Sequence, residues 1–265
     1  MSVRTCKAVR WAAGVILIGV AVTTAYADGD IDPWPRLAQE IFHGRAVTND
    51  AAVTLVAPQR AEDAAIVPMT MRFADPAQVK SATLVIDQNP MPVAAAFTFG
   101  AVSNVGFVET HVRVNSVTSV HAVVELRDAT LRAHVKFVNA SGGCSAPAVK
   151  DQDEANANIG KMKYREFKSA DASRREAQIM IRHPNNSGMQ MDPISRGYIA
   201  AHYVDGVAVW QGEALIFKME GGISLSEDPV FRFSYAPTGA KTVRVEAHDN
   251  LGGIYKEEWP IGENF

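Results

Sequence analysis

The chain is poor in cysteine, with two among 265 residues. That excludes a disulfide-dense scaffold, so a stable fold must rest on apolar packing. No charge of one sign dominates. Asp and Glu number 29 against 26 Lys and Arg, for a net charge of −3. A basic nucleic-acid binder is thereby excluded. The chain is 47% hydrophobic, which excludes disorder as its overall state. No apolar run reaches the ~18 residues of a membrane-spanning helix. Also missing are G-x-S-x-G, H-E-x-x-H, the P-loop and G-x-G-x-x-G, along with any carboxylate pair suited to acid–base work. These absences favour a carrier or binding protein over an enzyme, and they imply no cofactor.

What is present begins with a targeting segment. Arg4, Lys7 and Arg10 form a positive region, Ala12 to Val22 an apolar run of 11 residues, and Ala25-Tyr26-Ala27 a small-x-small site. This pattern is that of a secretory signal peptide cleaved after Ala27. The expectation is a periplasmic protein with no membrane association after cleavage. The remainder would carry a net charge of −6 and one cysteine, Cys144.

A short helix is expected after the signal. Pro35 suits a first turn, Leu37 and Ile41 share a face, and Gly44 suits the end. From Ala52 the pattern becomes short β-type runs: Val53–Val56, Ile66–Phe73, Val79–Ile86, Val93–Phe99, Phe107–Val114, Ser119–Leu126 and Leu131–Val138. Alternation in segments such as Ala133 to Phe137 and punctuation by Pro76, Asn89-Pro90 and Gly100 support this reading. Residues 141–175 turn polar and charged, and are expected as a Gly-containing arm and a long mobile linker. A second β region then spans 176–265. Its expected strands are Ala177–Ile181, Tyr198–Val204, Val207–Trp210, Ala214–Met219, Val230–Tyr235, Val243–His248 and Ile254–Trp259. Asp205-Gly206 is expected as a two-residue hairpin turn. The fold class is mainly β: two immunoglobulin-like β-sandwich domains, 28–140 and 176–265, with a short N-terminal helix and a long linker.

Cys144, in Ser141-Gly142-Gly143-Cys144-Ser145, is the first candidate for chemistry. Gly142 and Gly143 would give the arm flexibility, and no apolar neighbour in sequence would cover the thiol. Cys144 is therefore expected exposed and mobile, either as a functional thiol or as an incidental one. The second candidate is His183 with Met189 and Met191, a soft set able to hold Cu(I). Its spacing fits no strong template, and Met more often fills gaps. The other histidines, His111, His121, His134, His202 and His248, are expected to stand alone.

Several segments resemble a known pair of families. The first half is similar to the sulfur-oxidation carrier subunit SoxY in Trp34 to Arg45, Val53 to Pro58, Ala61-Glu62-Asp63, Val67-Pro68, Asp87 to Pro92 and Ser141 to Cys144. The second is similar to its partner SoxZ in Ile181 to Pro184, Ser187-Gly188-Met189, Ser226 to Pro229, Phe231-Arg232-Phe233 and Asp249 to Gly253. The combination resembles the SoxYZ-like carriers encoded beside quinoprotein dehydrogenases. The resemblance implies two immunoglobulin-like sandwiches packed together in the periplasm. It also implies that Cys144 carries a sulfur intermediate covalently, on an arm of G-G-C-G-G type. Gly142, Gly143 and Cys144 match that arm, while Ser145 replaces its next glycine and the chain runs on.

Three functions are compatible with these observations. One is a non-catalytic carrier on Cys144, serving periplasmic redox enzymes of Sox type or a quinoprotein dehydrogenase and its cytochrome. Another is a non-covalent accessory or delivery module for such a dehydrogenase. The third is a copper-handling protein using His183, Met189 and Met191.

Overall fold

The computed structural model describes residues 1, 32–147, 152–192 and 195–262. The expected signal and its cleavage site lie outside the described residues, apart from Met1.

Helix α1 (Trp34–Ile41) starts where expected, with Pro33 as its cap and Pro35 in the first turn. It ends as Gly44, at φ +74°, turns its N–H back onto the Gln39 carbonyl at 2.9 Å. That left-handed stop is one glycine adopts at little cost. The helix face carrying Trp34, Ala38 and Ile41 packs with Phe42 on Val123, Leu131 and Ala133.

The protein is mainly β, and its strands form two sheets. In the first half the strands are β1 (Val47–Asn49), β2 (Val53–Val56), β3 (Val67–Phe73), β4 (Val79–Ile86), β5 (Val93–Phe99), β6 (Phe107–Val112), β7 (Thr118–Leu126) and β8 (Leu131–Val138). In the second they are β9 (Met162–Phe167), β10 (Arg175–Ile181), β11 (Val204–Gln211), β12 (Ala214–Gly221), β13 (Val230–Tyr235), β14 (Thr242–Asp249) and β15 (Ile254–Pro260). One sheet has the order β1-β8-β7-β4-β5-β12-β11-β14-β15, the other β2-β3-β6-β13-β10-β9.

Both sheets run unbroken across the two halves. Strand β5 pairs antiparallel with β12, setting Phe99 opposite Phe217, and β6 pairs with β13, setting Thr110 opposite Phe231. Each half thus covers one edge of each of the other's two sheets. Between the layers, Phe97 of the first half meets Phe217 and Phe231 of the second at 5.7 and 6.3 Å between centroids. All three are at most 1% exposed. Buried aromatic rings of ~150–250 Å² each dominate the energetics of such a seam.

Two local expectations are corrected. Asp205-Gly206 is no hairpin turn. It lies inside β11, where the register shifts between Val204 and Gly206. A glycine inside a strand serves a bulge as readily as a turn. The stretch expected as strand at Tyr198–Val204 is mostly irregular, and β11 begins at its last residue.

The expected mobile linker is also shorter than its polar composition implies. It contains helix α2 (Gln152–Ala157) and β9, which pairs with β10 at the sheet edge. Strand β9 buries Tyr164 and Glu166 and leaves Lys163 and Arg165 exposed. Tyr164 stacks on Trp259 at 5.5 Å, and Glu166 accepts from Arg175 and the Gly262 N–H. Charged outward residues on an edge strand discourage further pairing, and here they hid a strand.

Candidate functional site

The Gly142–Ser145 segment was expected as a free arm and is a fixed turn. Gly143 to Ser145 form a single 3-10 turn just past β8. The Gly142 N–H donates to the Asn115 carbonyl at 2.8 Å, and the Gly143 N–H to the Val114 carbonyl at 3.1 Å. The glycines are there for geometry, not for mobility. Gly142 has φ +76°, and a Cβ on Gly143 would stand 2.0 Å from the Ala64 carbonyl oxygen. The backbone passes where only glycine fits.

Cys144 is accordingly 0% exposed, against the expectation of an accessible thiol. The cover comes from residues distant in sequence, which neighbouring residues could not reveal. Cys144 is one of the buried apolar residues of the core, although its turn lies close to the surface. Ser145, the next residue, is exposed. The turn that carries the thiol sits one residue beneath the surface, and polar groups bond its backbone.

Two of those groups bind the turn to the second half. The Ser187 hydroxyl donates to the Cys144 carbonyl. Arg113, following β6, donates to the Gly143 carbonyl at 3.2 Å and to the Asn185 carbonyl at 3.3 Å. Arg113 is itself 2% exposed. Asn89 fixes the backbone beneath, donating to the Arg113 carbonyl at 2.7 Å and accepting from the Asn115 N–H at 2.9 Å. Asn89 also donates to Ser224 Oγ, whose hydroxyl reaches the Met91 carbonyl. The Asp87–Pro92 loop thus belongs to the seam.

Electrostatics at the thiol pull in two directions. Burial pushes the Cys144 pKa up, and the Arg113 guanidinium draws it down, with burial the stronger. Burial likewise lowers the Arg113 pKa, opposed by Cys144, then Glu227, then Asp63. The closed thiol is neutral at physiological pH. A thiol that is neutral when closed does not suit fast nucleophilic attack.

The three residues of the copper set differ in burial. His183 is 1% exposed, Met189 is half-buried and Met191 is 52% exposed. The His183 ring faces His202 and Asp249, with the three possible ligand atoms all within 4.8 Å. His202 Nε2 lies 3.0 Å and His183 Nε2 3.7 Å from Asp249 Oδ2. That spacing would suit a metal. His183 Nδ1 accepts the Asn185 N–H at 3.1 Å, so Nε2 is the nitrogen turned to Asp249. Burial, with His202 adding to it, pushes the His183 pKa down to about 4, so the neutral ring prevails.

Asp249 completes this structural triad. Burial raises its pKa, but donors outweigh that and hold it well below the usual range. They are Tyr255, His202 and the Leu251 and Gly253 N–H groups. His121 is not alone either. It lies flat under Trp34 at 3.6 Å and meets Asp87 Oδ2 at 3.1 Å. His248 meets Glu246, and His134 accepts the Leu55 N–H.

Sequence reasoning missed Arg113 and Asn185. Between Val112 and Val114, Arg113 reads as a solvent-facing strand residue. Ser187 stood within a segment already singled out, but nothing in sequence linked it to Cys144, 43 positions away.

Comparisons with known proteins fall on the same two halves. The family model described as sulfur oxidation protein SoxY matches residues 38–144, ending on the cysteine. That for sulphur oxidation protein SoxZ matches residues 163–260. No curated protein matches the chain. Among solved structures, the sulfur carrier protein SoxY from Chlorobium limicola f thiosulfatophilum aligns at 20% identity and TM-score 0.34. That alignment covers 41% of this chain and 91% of that one. Among the described residues no helix is long and apolar enough to cross a membrane.

Proposed function

The chain belongs to the SoxY and SoxZ families, with one domain of each in tandem, and from that premise we propose that it is a non-catalytic carrier in which Cys144 holds a covalent sulfur intermediate. It works in the periplasm, reached through the signal over residues 1–27. There it presents its cargo to redox enzymes of Sox type or to a quinoprotein dehydrogenase with its cytochrome. The observation that carries this reading is the setting of Cys144. It is fully buried in a single short turn that polar side chains of both halves fasten, with exposed Ser145 beside it. Here a few hydrogen bonds hold the turn shut, and their loss delivers the thiol to solvent.

Full burial also favours a second reading, an accessory module for the same partners in which Cys144 is structural. Intact mass of protein purified from its native compartment separates the two. The carrier is expected to show adduct masses that vanish in Cys144→Ser. An unmodified thiol under all growth conditions, with no labelling by maleimide short of unfolding, would leave only the accessory module.

A further inference from the structure

A buried guanidinium is expensive to desolvate and ordinarily sits against a carboxylate. Arg113 does not. It is 2% exposed, yet among the described residues no carboxylate lies within the 4.0 Å of an ion pair. Its two terminal nitrogens are occupied by carbonyls, Gly143 from one half and Asn185 from the other. Its Nε has no partner at all. Glu227 and Asp63 are the other charged groups acting on it, both too far for contact, and Cys144 acts more strongly than either. Carbonyl dipoles satisfy part of the fork but cannot cancel a full charge. The cation is fixed on the peptide that precedes the thiol, with its Nε–H unpaired.

We propose that Arg113 is the positioning residue for negative charge at Cys144, the fixed counter-ion of its thiolate and of an anionic sulfur adduct formed on it. This rests on the carrier reading above, in which an adduct that ends in an anionic sulfur group would meet the guanidinium. Loading then neutralises a charge that the empty form leaves buried and uncompensated. The same side chain clasps the turn to the second half, so the loaded state is also the more firmly closed one.

Tetrathionate is a suitable probe on the full chain. The Cys144 thiol first gives its proton to solvent. The thiolate then attacks an inner sulfur of tetrathionate and forms one S–S bond. The central S–S bond breaks, and thiosulfate leaves with its electron pair. Cys144 is left as an S-thiosulfonate of charge −1. N-ethylmaleimide, which is neutral and also reacts with the thiolate, reports access alone. The ratio of the two rates at pH 7 therefore cancels exposure and thiolate fraction.

In Arg113→Met that ratio is expected to fall about tenfold, and in Arg113→Lys to stay within about threefold of the parent. A purely structural clasp would speed both reagents alike in Arg113→Met and leave the ratio unchanged, which overturns the assignment while leaving the carrier intact. A tetrathionate adduct that forms in no variant, parent included, overturns the carrier reading as well. One measurement needs no variant. The S-thiosulfonate form of the parent is expected to melt above the free thiol form, and an equal or lower melting temperature sinks the proposal.

Discussion

The Ser187 hydroxyl donates to the carbonyl of Cys144, a direct side-chain hydrogen bond from the second half to the end of the first. The same hydroxyl accepts the Met189 N–H at 3.2 Å, and the Ser187 N–H is fixed by Gln190 at 2.8 Å. A pre-set loop of the second half thus holds the cysteine turn down. A carrier whose thiol must be guarded in one state and presented in another needs such a fastening, strong enough to close and weak enough to release.

Ser187→Ala should loosen it. Removing one partner of a buried hydrogen bond costs about 1–3 kcal/mol. If that cost falls on the closed turn, native labelling of Cys144 by maleimide should accelerate at least about tenfold, since 1.4 kcal/mol is a factor of ten. The global melting temperature should move much less than the labelling rate. A rate unchanged from the parent would show that Ser187 does not control access.

The two glycines should differ in their tolerance. Gly142→Ala places a Cβ in open space, with Ser145 Oγ at 3.9 Å, and suffers only from φ +76°. Its cost should be about 1–2 kcal/mol. Gly143→Ala sets a Cβ against the Ala64 and Val114 carbonyls at 2.0 and 2.7 Å. Backbone must move there, so this variant should be the less stable and the faster to label. Equal melting temperatures for the two would contradict the fixed turn and restore a flexible arm.

Acid should weaken the protein through His183. Its folded pKa of about 4 lies below the ordinary 6.5, so the unfolded chain binds the extra proton first. Stability is then complete above pH 6.5 and falls as the pH drops toward 4. The loss across that window is at most roughly 3 kcal/mol. Asp249, held below the carboxylate range, adds its own loss only at more acid pH. Denaturant titrations of the parent and His183→Gln at pH 7 and 4.5 check this. The variant should be less stable at pH 7 and show a flatter pH dependence, and a parallel pH dependence would remove His183 as the cause.

Much of the architecture was legible in the residues. The runs Val79–Ile86, Val93–Phe99 and Val230–Tyr235 are strands with the bounds their alternation implies. Strand β9 was not legible, because its buried residues include Glu166, whose partners Arg175 and Gly262 come from outside the strand. The glycines before Cys144 draw attention to the thiol, because they suggest a mobile arm that would expose it. What could not be read was the direction of their meaning. Glycine signals freedom and close approach alike, and only the Ala64 carbonyl decides between them. Arg113 needed the tertiary fold, because alternation assigns a face to a strand residue without saying what covers that face.

The seam should make the two halves unfold together. Strands β5 and β12 share five residue pairs, β6 and β13 four, and Phe97, Phe217 and Phe231 interlock between the layers. Parted, each half would expose an edge in both sheets and lose its share of that aromatic cluster. Neither half therefore has a stable intermediate form in which the other is unfolded. Trp34 reports on the first half, where it stacks on His121, and Trp259 on the second, where it stacks on Tyr164. In single-tryptophan variants retaining one or the other, urea midpoints from fluorescence should coincide. Phe217→Ala, at a cost of about 3–5 kcal/mol, should shift both midpoints equally. If only the Trp259 midpoint moved, the continuous sheets would not be the cooperative unit, and Cys144 would lie between two independently folding bodies.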